Sequence, residues 1–110
     1  VRAEDPTVVT PKQVLYAATR AGALAQGRSD CGIMKEGARA DLIVLRTDVP
    51  NMHPVHDLIN NIVYSASGSD VLLTMVDGKV LYQDGDYTSI DLDETIERTE
   101  RAVDRILSQL

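Results

Sequence analysis

The chain has no tryptophan and no phenylalanine, and its four tyrosines are its only aromatic residues. A hydrophobic core must therefore come from Val, Ile, Leu, Ala and Met, without the large buried areas that aromatic rings contribute. One cysteine, Cys31, excludes an internal disulfide and fits a reducing compartment. Lys and Arg number 11 against 17 Asp and Glu, a net charge of −6. The basic excess that phosphate backbones or anionic bilayers require is missing, so neither nucleic acid nor a membrane surface is an expected partner. No apolar run approaches the roughly 20 residues of a membrane span, and no charged-then-apolar leader opens the chain, so a cytoplasmic location is expected. The first residue is Val1, and the opening residues read like the interior of a longer polypeptide. Truncation or processing is the expectation.

What is present is 110 residues of ordinary globular composition, 44% hydrophobic and 25% charged. Thr10-Pro11-Lys12-Gln13 marks a helix start, with Thr10 as cap, Pro11 in the first helical position and Gln13 completing a capping box. The helix runs through Val14, Leu15, Ala17, Ala18, Ala21 and Gly22 and ends near Gly27, a left-handed cap. Gly22 costs helix propensity, which implies close packing against a neighbour. A loop follows from Cys31 to Gly37. Ala40 to Leu45 reads as a strand, and its continuous Leu-Ile-Val-Leu run predicts cover on both faces. Asp48 to Pro54 is turn-rich, His56 to Asn60 suits a single helical turn, Ile62 to Ser65 a short strand, and Ser65 to Asp70 a loop. Asp77-Gly78 between Val71–Val76 and Lys79–Tyr82 is a hairpin signal of the type I′ kind, and Asp84-Gly85-Asp86 is a second turn. A final helix starts at Asp91 with Glu94 as capping-box partner. Leu92, Ile96, Val103, Ile106, Leu107 and Leu110 form its apolar stripe, and Glu94/Arg98 and Glu97/Arg101 pair on its polar side.

Three motifs in order carry a resemblance. Ala18-Thr19-Arg20-Ala21-Gly22-Ala23 is similar to a pattern on the last barrel helix of metal-dependent amidohydrolases. Gly32-Ile33-Met34-Lys35-Glu36-Gly37-Ala38-Arg39-Ala40-Asp41 resembles the turn and strand that follow it, and Val76-Asp77-Gly78-Lys79-Val80 the last strand pair. The nearest branch comprises chlorohydrolases and adenosine-type and guanine deaminases. This resemblance implies a mixed α/β (α+β) segment: an N-terminal helix, four or five short strands in one or two small sheets forming half of a composite β-sandwich with a hairpin, and a C-terminal amphipathic helix. It divides the chain into 1–30 (last barrel helix region), 31–90 (sandwich half) and 91–110 (C-terminal helix). A (β/α)₈ barrel typically needs about 250 residues, so the chain represents only a fragment of such an enzyme. In the family, zinc or iron lowers the pKa of a bound water toward about 7 and supplies hydroxide for attack on an amidine-like ring carbon. The family's metal-ligating His-x-His pair, later His and Asp map to no position here. The resemblance thus implies no catalytic, cofactor or metal residue in this chain, zinc or iron in the full-length parent, and a missing N-terminal barrel portion as partner.

Several residues invite chemistry by type. His53, His56 and the adjacent Asp57 have donor types suited to zinc, but Pro54 disfavours one helical turn holding both imidazoles, and a surface loop is the better reading. Cys31 between Asp30 and Gly32 lacks any local sign of an activated thiol. Ser65, Ser67 and Ser69 around Gly68 resemble a phosphate cradle only superficially, since a strand follows and Asp70 adds negative charge. Asp41 precedes a buried strand and is expected to bond a turn. Three readings follow: a hydrolase fragment inactive alone, with apolar faces that promote homo-oligomers; an independent β-rich interaction or dimerisation module; and a small zinc hydrolase built on His53, His56 and Asp57.

Overall fold

The computed structural model describes residues 8–109. Helix α1 (Pro11–Tyr16) opens on the expected box: the Thr10 hydroxyl accepts from the Gln13 amide at 3.3 Å, and the Gln13 side chain accepts from the Thr10 amide at 2.8 Å. The helix then widens into a π segment, Ala17–Ala21, before resuming as α2 (Gly22–Ala25). The Thr19 hydroxyl donates to the Leu15 carbonyl at 2.7 Å, and the Gly22 amide reaches back five residues to Ala17. A side chain competing for helix carbonyls favours such a local change of pitch. A Cβ on Gly22 would meet only the Ala17 carbonyl, at 3.0 Å. The close approach expected of Gly22 belongs instead to Gly32, at φ +74°, whose added Cβ would lie 2.8 Å from both the Thr19 carbonyl and the Ala23 side chain. Gly27, also at positive φ, closes the helix with Arg28 N–H donating to Ala23 O at 2.9 Å.

Four antiparallel strands make one sheet in the order β1-β2-β3-β4: β1 (Leu42–Leu45), β2 (Val71–Val76), β3 (Lys79–Gln83) and β4 (Asp86–Tyr87). Asp77 and Gly78 both take positive φ, 51° and 76°, as the tight turn between β2 and β3 requires. Asp84 and Gly85 repeat this at 46° and 99°, so the second turn is also a two-residue hairpin connection.

The short strand expected at Ile62 to Ser65 is instead helix α3 (Leu58–Tyr64). The expected helical turn at 56–60 begins only after His56. Asp57 caps it, its carboxylate accepting from the Asn60 amide at 3.1 Å. Ile59, Ile62 and Val63 lie on one half-buried helical stripe, and α3 packs against α1. The loop before β2 contains a 3₁₀ turn, Gly68–Asp70, and another occupies Pro50–Met52.

Helix α4 (Leu92–Leu107) starts where expected, with the Asp91 carboxylate accepting from the Glu94 amide at 2.9 Å. The reciprocal half of that capping box is absent, because the Glu94 carboxylate turns to Arg98 at 3.6 Å. Glu97 pairs with Arg101 at 3.4 Å. The stripe of Leu92, Ile96, Val103, Ile106 and Leu107 is 45–61% exposed; Leu110 lies outside the described residues.

Among the described residues, the two-sided cover predicted for β1 is incomplete. Neighbouring Ile43 and Val44 point to opposite faces and are 54% and 43% exposed. The accessible surface is 8903 Å², against about 6,000 Å² for a compact protein of this mass. The radius of gyration is 18.7 Å, against about 13 Å for a compact domain of this length. Cys31 and Met52 are the buried apolar side chains among the described residues.

Candidate functional site

The loop of residues 46–70 carries most of the sequence-singled residues, and it is organised by amides and one carboxylate. Asn51 donates from one side-chain nitrogen to the Asp70 carboxylate at 2.7 Å and to the Ser65 carbonyl at 3.0 Å. Asn61 donates to the Met52 carbonyl at 2.7 Å and the Pro54 carbonyl at 3.2 Å. Between these clamps Met52 is completely buried. The buried Asp70 also accepts from the Ser67 amide at 2.7 Å. That N–H, then the Asn51 amide and the nearby Arg46, hold its carboxyl below the ordinary range, against the opposing effect of burial. Ser67 caps the Gly68–Asp70 turn, and its hydroxyl lies 3.0 Å from that of Ser69. The serine-rich segment is thus a carboxylate-filled turn, and its anion position is taken by Asp70. The Ser67-x-x-Asp70 capping-box spacing was the available signal for it; nothing local in the sequence marks Asn51 or Asn61.

His53 and His56 are exposed, and the Asp57 carboxylate is engaged in capping α3. Among the described residues no group of three or more His, Cys, Asp or Glu side chains is placed to hold a metal ion. These residues do not fit a catalytic zinc or iron site. The Cys31 thiol is buried, and its carbonyl accepts from Arg20 at 2.7 Å. Asp41 has the role expected of it: one oxygen accepts from the Asp77 amide in the hairpin turn at 2.7 Å, and the other pairs with Arg28 at 3.2 Å.

Two concave surfaces flank the sheet. A groove of about 640 Å³ between the first helix and the sheet is lined by Ala18, Ala23, Ile33, Met34, Ile43 and Met75, with Arg28 and Asp41 among its few polar groups. A second, of about 570 Å³, lies by Tyr82 and Tyr87, whose rings meet edge to face at 5.1 Å. Neither concentrates acid, base and nucleophile in the way hydrolysis needs.

The comparisons with known proteins agree with this mixed architecture of helices and antiparallel sheet. The model of the amidohydrolase family matches residues 1–81. The chain is 38% identical over 106 residues to the 5′-deoxyadenosine deaminase of Methanosarcina mazei, covering 96% of this chain and 24% of that protein. It is 41% identical over 98 residues to a 5-methylthioadenosine/S-adenosylhomocysteine deaminase of Nitratidesulfovibrio vulgaris, covering 89% and 22%. Among solved structures, the zinc-bound adenosine deaminase of Xanthomonas campestris superposes with a TM-score of 0.90 at 26% identity, over 94% of this chain and 24% of that one. Atrazine chlorohydrolase of Arthrobacter aurescens, complexed with zinc, superposes at 0.77 and 28% identity, over 84% and 20%. The chain spans about a quarter of the length of the curated relatives it matches. It belongs to the amidohydrolase family.

Proposed function

We propose that this chain is the C-terminal portion of a metal-dependent hydrolase of non-peptide C–N bonds, of the kind that deaminates amino-heteroaromatic rings. By itself it is inactive. Its role is structural, to complete the composite β-sandwich and brace the last barrel helix: residues 1–30 are the last barrel helix region, 31–90 the C-terminal half of the sandwich, and 91–110 the C-terminal helix. Zinc, or iron, belongs to the part of the enzyme that carries the histidines. The observation that supports this reading most is the uncovered surface. About 3,000 Å² more is exposed than a compact chain of this mass presents, and it includes both faces of β1 and the stripe of α4. At roughly 25 cal/mol per Å² of apolar surface, leaving such faces in water is costly enough that covering polypeptide is the economical explanation. The same faces, left bare, drive homo-oligomers or strand exchange.

The test is to purify the 110-residue chain, measure zinc by elemental analysis, and assay ammonia release from adenosine and 5′-deoxyadenosine. No stoichiometric metal and no turnover are expected. One equivalent of zinc per chain, or turnover, would overturn the proposal. The rival reading as an independent interaction module predicts a monodisperse, cooperatively unfolding monomer; this reading predicts concentration-dependent association.

A further inference from the structure

We infer that Arg28, Asp30, Arg39, Asp41 and Asp77 form one closed ring of charge contacts, a strap that holds the first helix and the β2–β3 hairpin at a fixed separation across the apolar groove. Three segments meet in it: the residues after α2, those before β1, and the hairpin tip. Arg28 lies 3.8 Å from Asp30 and 3.2 Å from Asp41. Arg39 lies 2.6 Å from Asp30 and 3.3 Å from Asp77. The ring closes through the backbone, since the Asp77 amide donates to the free oxygen of Asp41 at 2.7 Å. Two backbone bonds run alongside: Arg39 N–H to Asp30 O at 2.7 Å and Gly78 N–H to Ala40 O at 3.0 Å.

Taken singly, these pairs are half-exposed, and exposed pairs contribute little. A ring behaves differently from separate pairs. Asp30 touches both arginines, so the loss of one leaves it held by the other. With both gone, three carboxylates face each other without a cation. The strap then opens where a single loss only slackened it. Arg28 and Asp41 themselves line the groove between helix and sheet, so the state of the ring sets that groove's width before any other polypeptide enters. This inference does not depend on the hydrolase reading, because it concerns contacts internal to the chain.

Hydrogen exchange of the Asp77 amide tests it, since its acceptor, Asp41, is left in place. Arg28→Gln and Arg39→Gln are each expected to speed that exchange a few-fold. The double variant should exceed the product of the singles by a factor of about two or more. The Thr74 and Tyr82 amides, inside the β2–β3 ladder, should keep their protection. Nitroxide labels at Lys12→Cys and Lys79→Cys, on a Cys31→Ser background, should give a narrow distance distribution that broadens when both arginines are replaced. In the unsubstituted chain, 0.5 M salt should accelerate the Asp77 amide before any ladder amide. Multiplicative single effects, equal acceleration throughout the ladder, or an unchanged distance distribution would each overturn the strap.

Discussion

The loop around Met52 and the strand β1 make opposite use of their residues. The loop is turn-rich in sequence and looks like solvated connection, yet it holds the completely buried Met52 and a carboxylate with two donors. The strand is the most hydrophobic run of its length in the chain, yet two of its four side chains stand in water. The reason is which partners each can find within the 110 residues. The loop folds back on α3 and the turn before β2, so Asn51, Asn61 and Asp70 satisfy the backbone locally. Strand β1 lies at the edge of the sheet among the described residues, with β2 on one side only, and Ile43 and Val44, on its opposite faces, are both exposed. Hydrophobicity alone states a need for cover; it does not supply the cover.

That contrast can be broken or sharpened by substitution. Truncation of Met52→Ala should have the largest effect, about 2–5 kcal/mol lost in urea unfolding, because it opens a cavity at a fully buried position. Asn61→Ala follows: it strips the donor from the carbonyls of Met52 and Pro54 and should cost about 1–3 kcal/mol in the same assay. Acid should act on the loop as well. The Asp70 carboxyl titrates lower in the folded chain than its ordinary value of 3.8. Its contribution is therefore complete above that ordinary value and disappears as pH falls through the lower, folded one. Asp70→Asn should flatten the acid limb of a stability-versus-pH curve; an unchanged limb would show that Asp70 is not its source. The smallest change in folding stability is expected from Ile43→Thr, within about 0.5 kcal/mol, since the side chain is already in water. Its measurable consequence should instead be weaker self-association by sedimentation. If Ile43→Thr destabilised the chain as much as Met52→Ala, the two regions would not differ as described.

Legibility in the sequence followed the range of the interactions. The Thr10 cap, the Asp77-Gly78 hairpin, the helix end at Gly27 and the start of α4 at Asp91 each rest on contacts within a few residues, and each appears at its expected place. Segment 58–64 was ambiguous by pattern, because Ile62-Val63-Tyr64 suits a strand as well as a helix. Packing of the segment against α1, with Asp57 as cap and Ile59, Ile62 and Val63 half-buried, resolved it as helix. The capping box of α4 failed in its second half because Glu94 had a competing partner one turn along. At the candidate site, the place of Asp41 just before a strand predicts its bond to a turn, which it makes to the Asp77 amide. The Asn51–Asp70 clamp joins residues 19 apart and leaves no trace in local pattern.

Family membership, the turn positions, the helix caps and the apolar character of β1 and α4 could all be read from residue order, because each is a matter of near neighbours or of composition. The π turn at Ala17–Ala21, the pressing of Gly32 onto the helix, the burial of Met52 and the ring of two arginines and three aspartates required the folded chain. Each depends on segments distant in sequence arriving at one place, and hydrogen bonds and ion pairs of that kind are specified by geometry, not by the identity of adjacent residues.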